Sequence, residues 1–369
     1  MLGCEFPIVA FSHCRDVVAA VSKAGGLGVL GVVGYTPAQL EIELDWIEKE
    51  IGDRPYGVDI LVPVKFVGSD EGGFDASKID ALIPDEHRRF VAALLAEHGV
   101  PPVPEESPDE KKRQRPSTFQ DDEQRELIEV AFGHRIKLVA NALGPPPDWM
   151  IERGHEEGCI VAALAGKAEH ARRHVEKGVD LVVAQGYEAG GHTGEIATMV
   201  LVPEVVDAVA PIPVLAAGGI ASGRQLTAAL ALGAEGVWTG SVWLTTEEAE
   251  THPIVKQKFL AASSSDTRRS RSRTGKPARQ LKSAWTEAWE DPENLSPLPM
   301  PLQIHLIQDA WKQIERTAHK SPGAEKLINY FVGQVVGSMN DIRSVRSVIE
   351  EMVQEYVDTM ERLDRWAEG

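Results

Sequence analysis

The sequence predicts an α/β protein in which eight short strands alternate with helices. Each strand is a run of mainly aliphatic residues, with the length and composition of a strand buried on both faces. Segments between the runs, such as 37–51 and 223–232, carry apolar residues three and four places apart, which is the spacing of an amphipathic helix. The eight runs are residues 7–10, 27–33, 56–62, 136–141, 159–164, 181–185, 214–217 and 236–240.

Eight such units favour a closed (β/α)8 barrel, the TIM barrel, over an open doubly wound sheet, which usually has fewer units. Residues 1–245 are predicted to form the barrel. Residues 246–320 are predicted to be a substrate-side insertion after strand eight, and residues 321–369 to be C-terminal helices that complete the barrel domain. Helical periodicity is clear in 324–336 and 342–366. Residues 101–122, rich in proline and charge, are expected to be a solvated loop or a lid over the site.

Charge and composition narrow the class of partner. The chain of 369 residues has a formal net charge of −18, which opposes binding to nucleic acid or an anionic membrane, because both require a basic face. Its three cysteines form no metal-type pair, no run of about 18 apolar residues suggests a membrane span, and its first residues do not resemble a signal peptide. We therefore expect a cytoplasmic protein that acts on a small molecule. The sequence leaves open whether the protein forms a homodimer.

The stretch at 185–194, Gln-Gly-Tyr-Glu-Ala-Gly-Gly-His-Thr-Gly, follows the sixth predicted strand. In a barrel, functional residues lie where strands end, and the pair Gly190 and Gly191 lets a flat ligand or a phosphate approach the backbone. His192 beside them can exchange a proton near neutral pH, so it is the candidate general base or acid. The alternative is a histidine that only hydrogen-bonds its own loop.

Two other side chains near the predicted cavity have expected roles. Glu188 is expected to anchor the loop by accepting backbone N–H bonds, although it is also the nearest alternative to the histidine as a base. His13 follows the first strand and is a second histidine that could face the cavity.

Two further strand ends carry glycines that suit an anion. Residues 214–223 form a strand, a glycine pair and the start of a helix, which directs backbone N–H groups and the helix dipole at one point. Barrels often build a phosphate site from the loops after strands seven and eight. The runs at 214–217 and 236–240 are the seventh and eighth predicted strands. A phosphate here, with room for a planar ring at the other glycine pair, indicates FMN rather than a dinucleotide, since no Gly-x-Gly-x-x-Gly follows the first strand. The residues expected at this site are Ala217, Gly218, Gly219, Thr239, Gly240 and Ser241.

The predicted insertion concentrates positive charge on this acidic chain. The seven basic residues between 268 and 282 form an exposed loop that balances the acidic body, or they recognise an anionic substrate tail such as a coenzyme A phosphate. Trp285 and Trp289, four residues apart, are expected to pack their helix onto the body. The basic residues are Arg268, Arg269, Arg271, Arg273, Lys276, Arg279 and Lys282.

These motifs resemble those of the nitronate monooxygenase family, formerly called 2-nitropropane dioxygenases, which also includes flavin-dependent enoyl reductases of fatty-acid synthesis. The matching segments keep their order along nearly the whole chain. They are Ala-Gly-Gly-Leu-Gly at 24–28, residues 185–194, Ala-Gly-Gly-Ile-Ala at 217–221, Thr-Gly-Ser at 239–241 and Thr-Gly-Lys-Pro-Ala-Arg at 274–279.

The resemblance implies a barrel that binds FMN noncovalently, with Gln185 and Gly190 beside the ring system. His192 matches the family's catalytic histidine, which takes the α-proton of a nitroalkane or assists the nitronate. Reaction with dioxygen then gives a carbonyl compound and nitrite. The phosphate would lie at Gly218, Gly219, Gly240 and Ser241.

Two positions depart from the family pattern. Relatives usually have a Gln-Ala-Pro-Met type of sequence after the first strand, where this chain has Ala10, Phe11, Ser12 and His13. Relatives also commonly have Asn at the end of the third strand, where this chain has Asp59. These positions, together with Gly191, are expected to face the flavin. A carboxylate there would disfavour a negatively charged reduced ring unless it is protonated or paired.

Three functional hypotheses follow. The leading one is an FMN-dependent enzyme that oxidises alkyl nitronates with O2. The alternative, favoured by the basic cluster, is an NAD(P)H-dependent enoyl reductase that acts on a CoA or carrier-protein thioester. The third is a non-catalytic flavin-binding protein in which residues 11–13 and Asp59 have replaced catalytic features.

Overall fold

A computed structural model describes residues 1–62, 66–71, 73–103 and 121–368 of the chain. Its strands are β1 (Ile8–Ser12), β2 (Leu27–Gly31), β3 (Tyr56–Ile60), β4 (Leu138–Asn141), β5 (Ile160–Ala165), β6 (Leu181–Gln185), β7 (Gly191–His192), β8 (Val214–Ala217), β9 (Gly236–Thr239), β10 (Thr267–Ser270) and β11 (Ala278–Leu281). Its α-helices are α1 (Arg15–Lys23), α2 (Pro37–Ile51), α3 (Ala76–Ala81), α4 (Asp85–Glu97), α5 (Asp121–Phe132), α6 (Asp148–Glu156), α7 (Ala168–Glu176), α8 (Thr198–Val209), α9 (Gly223–Ala231), α10 (Pro253–Ala261), α11 (Ala284–Glu290), α12 (Leu302–Thr317), α13 (Pro322–Leu327) and α14 (Val345–Glu368). Most of the predicted loop or lid at 101–122 lies outside the described residues.

Eight parallel strands close into a barrel in the order β1-β2-β3-β4-β5-β6-β8-β9. The barrel closes where β9 pairs with β1, with Val237 beside Ile8 and Thr239 beside Ala10. The predicted (β/α)8 barrel is therefore confirmed, and each of the eight predicted runs overlaps one barrel strand. The carboxyl ends of all eight strands open at the same mouth, which is where such barrels carry their functional residues.

Side chains alternate along each barrel strand between two apolar layers. On β3, Val58 and Ile60 pack in the layer between the strands and the helices. The inner layer, which fills the barrel, contains Val29, Ala140 and Trp238 among others. Because successive side chains of a strand point to opposite faces, Asp59 faces the inside of the barrel.

The segment after the barrel builds a hairpin and a second apolar core. Strands β10 and β11 pair in an antiparallel hairpin, and β11 also pairs with the short strand β7. Helices α10 to α13 share their core with α3 and α4, which come from the connection between β3 and β4. Trp285 and Trp289 on α11 are buried in this core with ring centroids 6.0 Å apart, as expected for a packing role.

The predicted helix at 342–366 is confirmed, whereas the one at 324–336 is mostly wrong. Helix α13 ends at Leu327, and the chain then runs extended beside β11, where the carbonyl of Tyr330 accepts the N–H of Leu281. Further on, the N–H of Gly333 donates to the hydroxyl oxygen of Ser241, and the N–H of Gln334 donates to the carbonyl oxygen of Glu188. These long-range hydrogen bonds override the helical periodicity of the segment.

Helix α14 is the longest of the described helices, at 24 residues, and it packs against α9 and α1. Its sequence mixes charged residues with the apolar ones that face those neighbours. Within the described ranges, no helix is both long enough and apolar enough to cross a membrane.

Replacing Trp285 by alanine tests the second core. The indole is fully buried and its centroid lies 5.4 Å from that of Trp311, so Trp285→Ala should cost about 3–5 kcal/mol of unfolding free energy. The matched control is Trp366→Ala, since this indole is 82% exposed and should change stability by less than about 0.5 kcal/mol. Denaturant unfolding of the two variants measures both, and equal losses would contradict the assignment.

Candidate active site

His192 is held at the barrel mouth by backbone pairing with the hairpin. In the β7–β11 pair, His192 lies opposite Ala278 and Gly191 lies opposite Arg279. The sequence motif at 185–194 is therefore completed by residues almost 90 positions further on. Sequence reasoning did not predict this contact, because nothing local in either segment specifies its partner.

The ring of His192 contacts Thr274 in the same hairpin. Its Nε2 lies 2.8 Å from the Thr274 hydroxyl oxygen, and that hydroxyl donates to the carbonyl oxygen of Lys276 at 3.1 Å. Since the hydroxyl hydrogen is used there, the network assigns the ring hydrogen to Nε2, which donates to Thr274. Nδ1 then keeps a lone pair, with no hydrogen-bond partner among the described residues, and is the nitrogen able to accept a proton.

Burial changes the protonation range expected of His192. Removal from water lowers the pKa of His192 to about 4, and the nearby positive charge of Lys276 lowers it further in the same direction. The expectation that this histidine titrates near neutral pH is therefore wrong. The imidazole is neutral throughout the physiological range, which leaves it available as a base.

Two ionic side chains, the partly buried Glu188 and the buried Arg279, fix the loop that carries His192. One carboxylate oxygen of Glu188 accepts the backbone N–H of Thr198 at 2.9 Å and its hydroxyl at 2.8 Å, which confirms the anchoring role. The guanidinium of Arg279, only 3% exposed, donates twice to the carbonyl oxygen of Tyr187, at 2.9 and 3.1 Å. Charge-assisted bonds of this kind fix residues 187 and 188, just before the glycine pair.

The opposite wall of the mouth is formed by the end of β1. Phe11 stacks on Trp238 with centroids 6.5 Å apart and meets His13 edge-on at 5.1 Å. His13 Nδ1 hydrogen-bonds the carbonyl oxygen of Gly31 at 2.9 Å, and the surrounding protein lowers the pKa of His13. Its side chain still reaches solvent, so it faces the cavity as the sequence suggested.

Three predicted cofactor contacts are restricted by what their side chains already do. Ala10 is fully buried in the layer between strands and helices, so only its backbone is left for a ligand. The Thr239 hydroxyl donates to the carbonyl of Val9 and accepts the indole N–H of Trp243. The Ser12 hydroxyl accepts the N–H of Cys14 at 3.1 Å.

The inward-facing polar groups of the mouth are Gln185 and Asp59. The amide of Gln185, at the end of β6, has no hydrogen-bond partner within the part of the chain that the structure describes. Asp59 is 3% exposed, its Oδ2 lacks a partner, and burial raises its pKa well above the usual range of a carboxyl. Burial therefore favours the protonated form of Asp59, which is the alternative to a charged carboxylate that the sequence left open.

The glycine loops after β8 and β9 present free backbone donors. Gly218 and Gly219 have φ angles of 96° and 74°, which favour glycine and turn successive N–H groups toward one side. The N–H groups of Gly219, Ile220, Gly240 and Ser241 have no hydrogen-bond partner among the described residues. A Cβ on Gly240 would meet nothing closer than 3.9 Å, so space is open beside these donors.

The helix end behind the first loop is not itself free, which corrects part of the predicted anion site. The N–H of Gly223, at the start of α9, donates to a carboxylate oxygen of Glu355 at 2.9 Å, and Gln225 accepts the N–H of Ala221 at 2.8 Å. An anion here would be held by the loop donors and not by the helix terminus. With open space at Gly240 and unpaired polar groups at Gln185 and Asp59, these residues fit a phosphate attached to a planar heterocycle such as FMN.

Most of the basic cluster contacts the protein itself. Arg268 pairs with Glu290 at 2.9 Å, Arg271 donates to the carbonyl of Gly275 at 2.9 Å, and the guanidinium of Arg273 lies 3.5 Å from the ring centroid of Trp311. Arg269 donates to the carbonyl of Thr193 at 3.2 Å. Lys276 differs, since its ammonium has no polar partner in the described ranges, and burial lowers its pKa.

Titration of His192 tests this electrostatic arrangement. We expect its pKa to be about 4 and to rise in Lys276→Gln, because a nearby positive charge disfavours the protonated ring. Nuclear magnetic resonance of labelled histidine measures the pKa of His192. The matched control is Lys282→Gln, at the end of the same hairpin, which should leave this pKa unchanged. A pKa near 6.5 in the wild type, or no rise in Lys276→Gln, would contradict the arrangement.

Comparison of the sequence with known proteins agrees with this geometry. The family model described as "Nitronate monooxygenase" matches residues 7–355. The chain is 60% identical over 370 residues to the Mycobacterium tuberculosis protein named "Putative monooxygenase Rv1533", covering 98% of this chain and 96% of that protein. It is 30% identical to a "Probable nitronate monooxygenase" of Staphylococcus haemolyticus, covering 86% and 87% of the two chains.

Two solved structures of similar fold cover nearly the whole chain. The nitroalkane oxidase from Streptomyces ansochromogenes superposes with a TM-score of 0.80 at 25% identity, covering 98% of both chains. FabK from Thermotoga maritima superposes with a TM-score of 0.72 at 28% identity, covering 99% of this chain and 97% of that one. From the match over residues 7–355, the chain belongs to the nitronate monooxygenase family, a family of flavin-dependent oxidoreductases.

Proposed function

We propose that this protein is an FMN-dependent monooxygenase that converts alkyl nitronates and O2 into carbonyl compounds and nitrite. The observation that carries the proposal is the neutral imidazole of His192, with a free Nδ1, beside the unpaired ammonium of Lys276 at the barrel mouth. The similarity to a nitroalkane oxidase and to nitronate monooxygenases supports the same substrate class.

In this proposal the loop donors at Gly219, Ile220, Gly240 and Ser241 hold the phosphate of FMN. When bound, FMN supplies the electron transfer between the substrate and dioxygen. Gln185 and the inward wall of β1 lie on the side of the mouth that a ring would cover.

His192 supplies the proton acceptor in this proposal. Its Nδ1 takes the α-proton of a neutral nitroalkane, and Thr274 holds the ring in the tautomer that makes this possible. The product of that proton transfer is an anion, and the Lys276 ammonium is the unpaired positive charge available to attract it. The same charge attracts a nitronate that enters already ionised.

Substituting His192 separates proton transfer from binding. With a neutral nitroalkane, His192→Asn should lower kcat/KM by about 10²–10⁴-fold, whereas with a preformed nitronate the loss should be much smaller, because no proton has to be removed. Nitrite release and anaerobic bleaching of the flavin absorbance measure the two reactions. His155→Asn, a surface histidine paired with Asp180 at 3.1 Å, is the matched control. Wild-type flavin that neither bleaches with a nitronate nor recovers its colour with oxygen would exclude the activity.

Alanine at Gly240 tests the phosphate site. Its φ of −134° and its open surroundings allow a Cβ, so the protein should fold normally, but the methyl group would crowd the loop donors. We expect FMN binding to weaken about tenfold, which corresponds to ~1.4 kcal/mol, in a fluorescence titration. Riboflavin, which lacks the phosphate, is the control ligand and should bind both proteins equally. Equal weakening of both ligands would contradict a phosphate at this loop.

An enoyl reductase is the second candidate, and the similarity to FabK from Thermotoga maritima is the observation that favours it. Lys276 would then meet an anionic group of a CoA or carrier-protein thioester. Since most of the neighbouring arginines contact the protein itself, little of the basic cluster is left for such a substrate. Reduction of the bound flavin by NADPH, followed by its reoxidation by an enoyl thioester, would favour this candidate over nitronate oxidation.

A further inference from the structure

Asp59 lies where a ligand anchored at the glycine loops would reach. It is the fourth residue of β3, beside Gly31 of β2 and Ala140 of β4, and it faces the barrel interior. In the closed order of eight strands, β3 is four strands from β8 in either direction. The Asp59 carboxyl is therefore directly across the barrel from the loop at Gly218 and Gly219.

The Asp59 carboxyl is left unsatisfied by the protein. Its Oδ2 is buried and has no hydrogen-bond partner among the described residues. Asn141, at the end of the neighbouring strand, shows the contrast: its amide accepts the N–H of Val62 at 2.9 Å and donates to the carbonyl of Gly144 at 3.0 Å. A buried polar atom without a partner is rare in native proteins, and it indicates a missing group.

The surroundings favour the neutral form of this acid. The flanking residues Gly31 and Ala140 carry no charge, and the inner layer of the barrel is apolar. The ends of β1, β2 and β4 supply one titratable side chain near this level, His13, whose ring covers Gly31 and already donates to its carbonyl if Nδ1 carries the hydrogen. Burial raises the pKa of Asp59, and no cation among the described residues opposes it.

We propose that Asp59 is a carboxylic acid whose O–H group donates a hydrogen bond to a heteroatom of the FMN ring system. This inference rests on the proposed function, in which the phosphate of FMN is held at the loops after β8 and β9. The ring then extends across the barrel mouth, and the Asp59 acid supplies both a donor and an acceptor at its far edge. Ionisation of Asp59 would place a buried negative charge beside the ring without compensation, so flavin binding and proton binding are linked.

Flavin affinity as a function of pH tests the link. In the wild type, FMN and riboflavin should both bind more weakly as the pH rises through the pKa of Asp59, while in Asp59→Asn, which keeps a neutral donor, affinity should not change with pH. Asp59→Leu should bind both flavins about tenfold more weakly at every pH, because the donor is lost. Riboflavin removes the ionisation of the FMN phosphate as a cause. The same pH dependence in Asp59→Asn as in the wild type would overturn the proposal.

Stability of the flavin-free protein checks that these variants fold. A carboxyl whose folded-state pKa is raised stabilises the fold least at high pH, since stability falls as pH rises above its unfolded pKa. Asp59→Asn should therefore melt at a higher temperature than the wild type at pH 8, with a smaller difference at pH 5. An Asp59→Asn protein less stable than the wild type at pH 8 would contradict an unpaired buried carboxyl.

Infrared difference spectra give a readout that does not require turnover. The wild type should show the carbonyl band of a protonated carboxylic acid, shifted to lower frequency when FMN is added, and Asp59→Asn should lack it. If FMN binds and this band does not move, the role of Asp59 is overturned while the proposed function stands. If the wild type binds neither FMN nor riboflavin, the proposed cofactor fails and this inference fails with it.

Discussion

The backbone pairing of Gly191 and His192 with Ala278 and Arg279 determines where His192 lies. The stretch at 185–194, with four glycines, has many accessible conformations, and ordering it costs conformational entropy. The hairpin opposes that cost with ladder hydrogen bonds, with the buried guanidinium of Arg279 and with the hydroxyl of Thr274. The segment after the barrel is therefore part of the candidate active site and favours one tautomer of the His192 ring.

The barrel could be predicted from the sequence because each of its strands is a continuous apolar run, which parallel strands buried on both faces require. The positions of His192 and of the glycine loops followed, since strand ends in a barrel share one mouth. The contact of His192 with Thr274 could not be predicted, because pairing between distant segments leaves no local periodicity. The same reason explains the error at 324–336, where hydrogen bonds to Leu281 and Ser241 replace those of a helix.

Charge in the mouth is sparse for so acidic a chain. Burial lowers the pKa of His192 to about 4 and raises that of Asp59, so it favours the neutral form of both. Most arginines of the hairpin donate to carbonyl oxygens or pair with nearby carboxylates. Among the described residues, none is a polar partner of the Lys276 ammonium. In a site with little competing charge, one ammonium has a large effect on an anion, because the local dielectric is low. Composition revealed the basic cluster, but only the contacts show which member is available.

The bond between Gly223 and Glu355 joins residues 132 positions apart. During synthesis, the glycine loop of the barrel leaves the ribosome well before the helix that carries Glu355 exists. Until that helix packs, the first turn of α9 has an unsatisfied donor, and the loop before it lacks its final support. Residues 218–223 therefore reach their final hydrogen-bonded arrangement only after Glu355 has been synthesised and α14 has packed against α9.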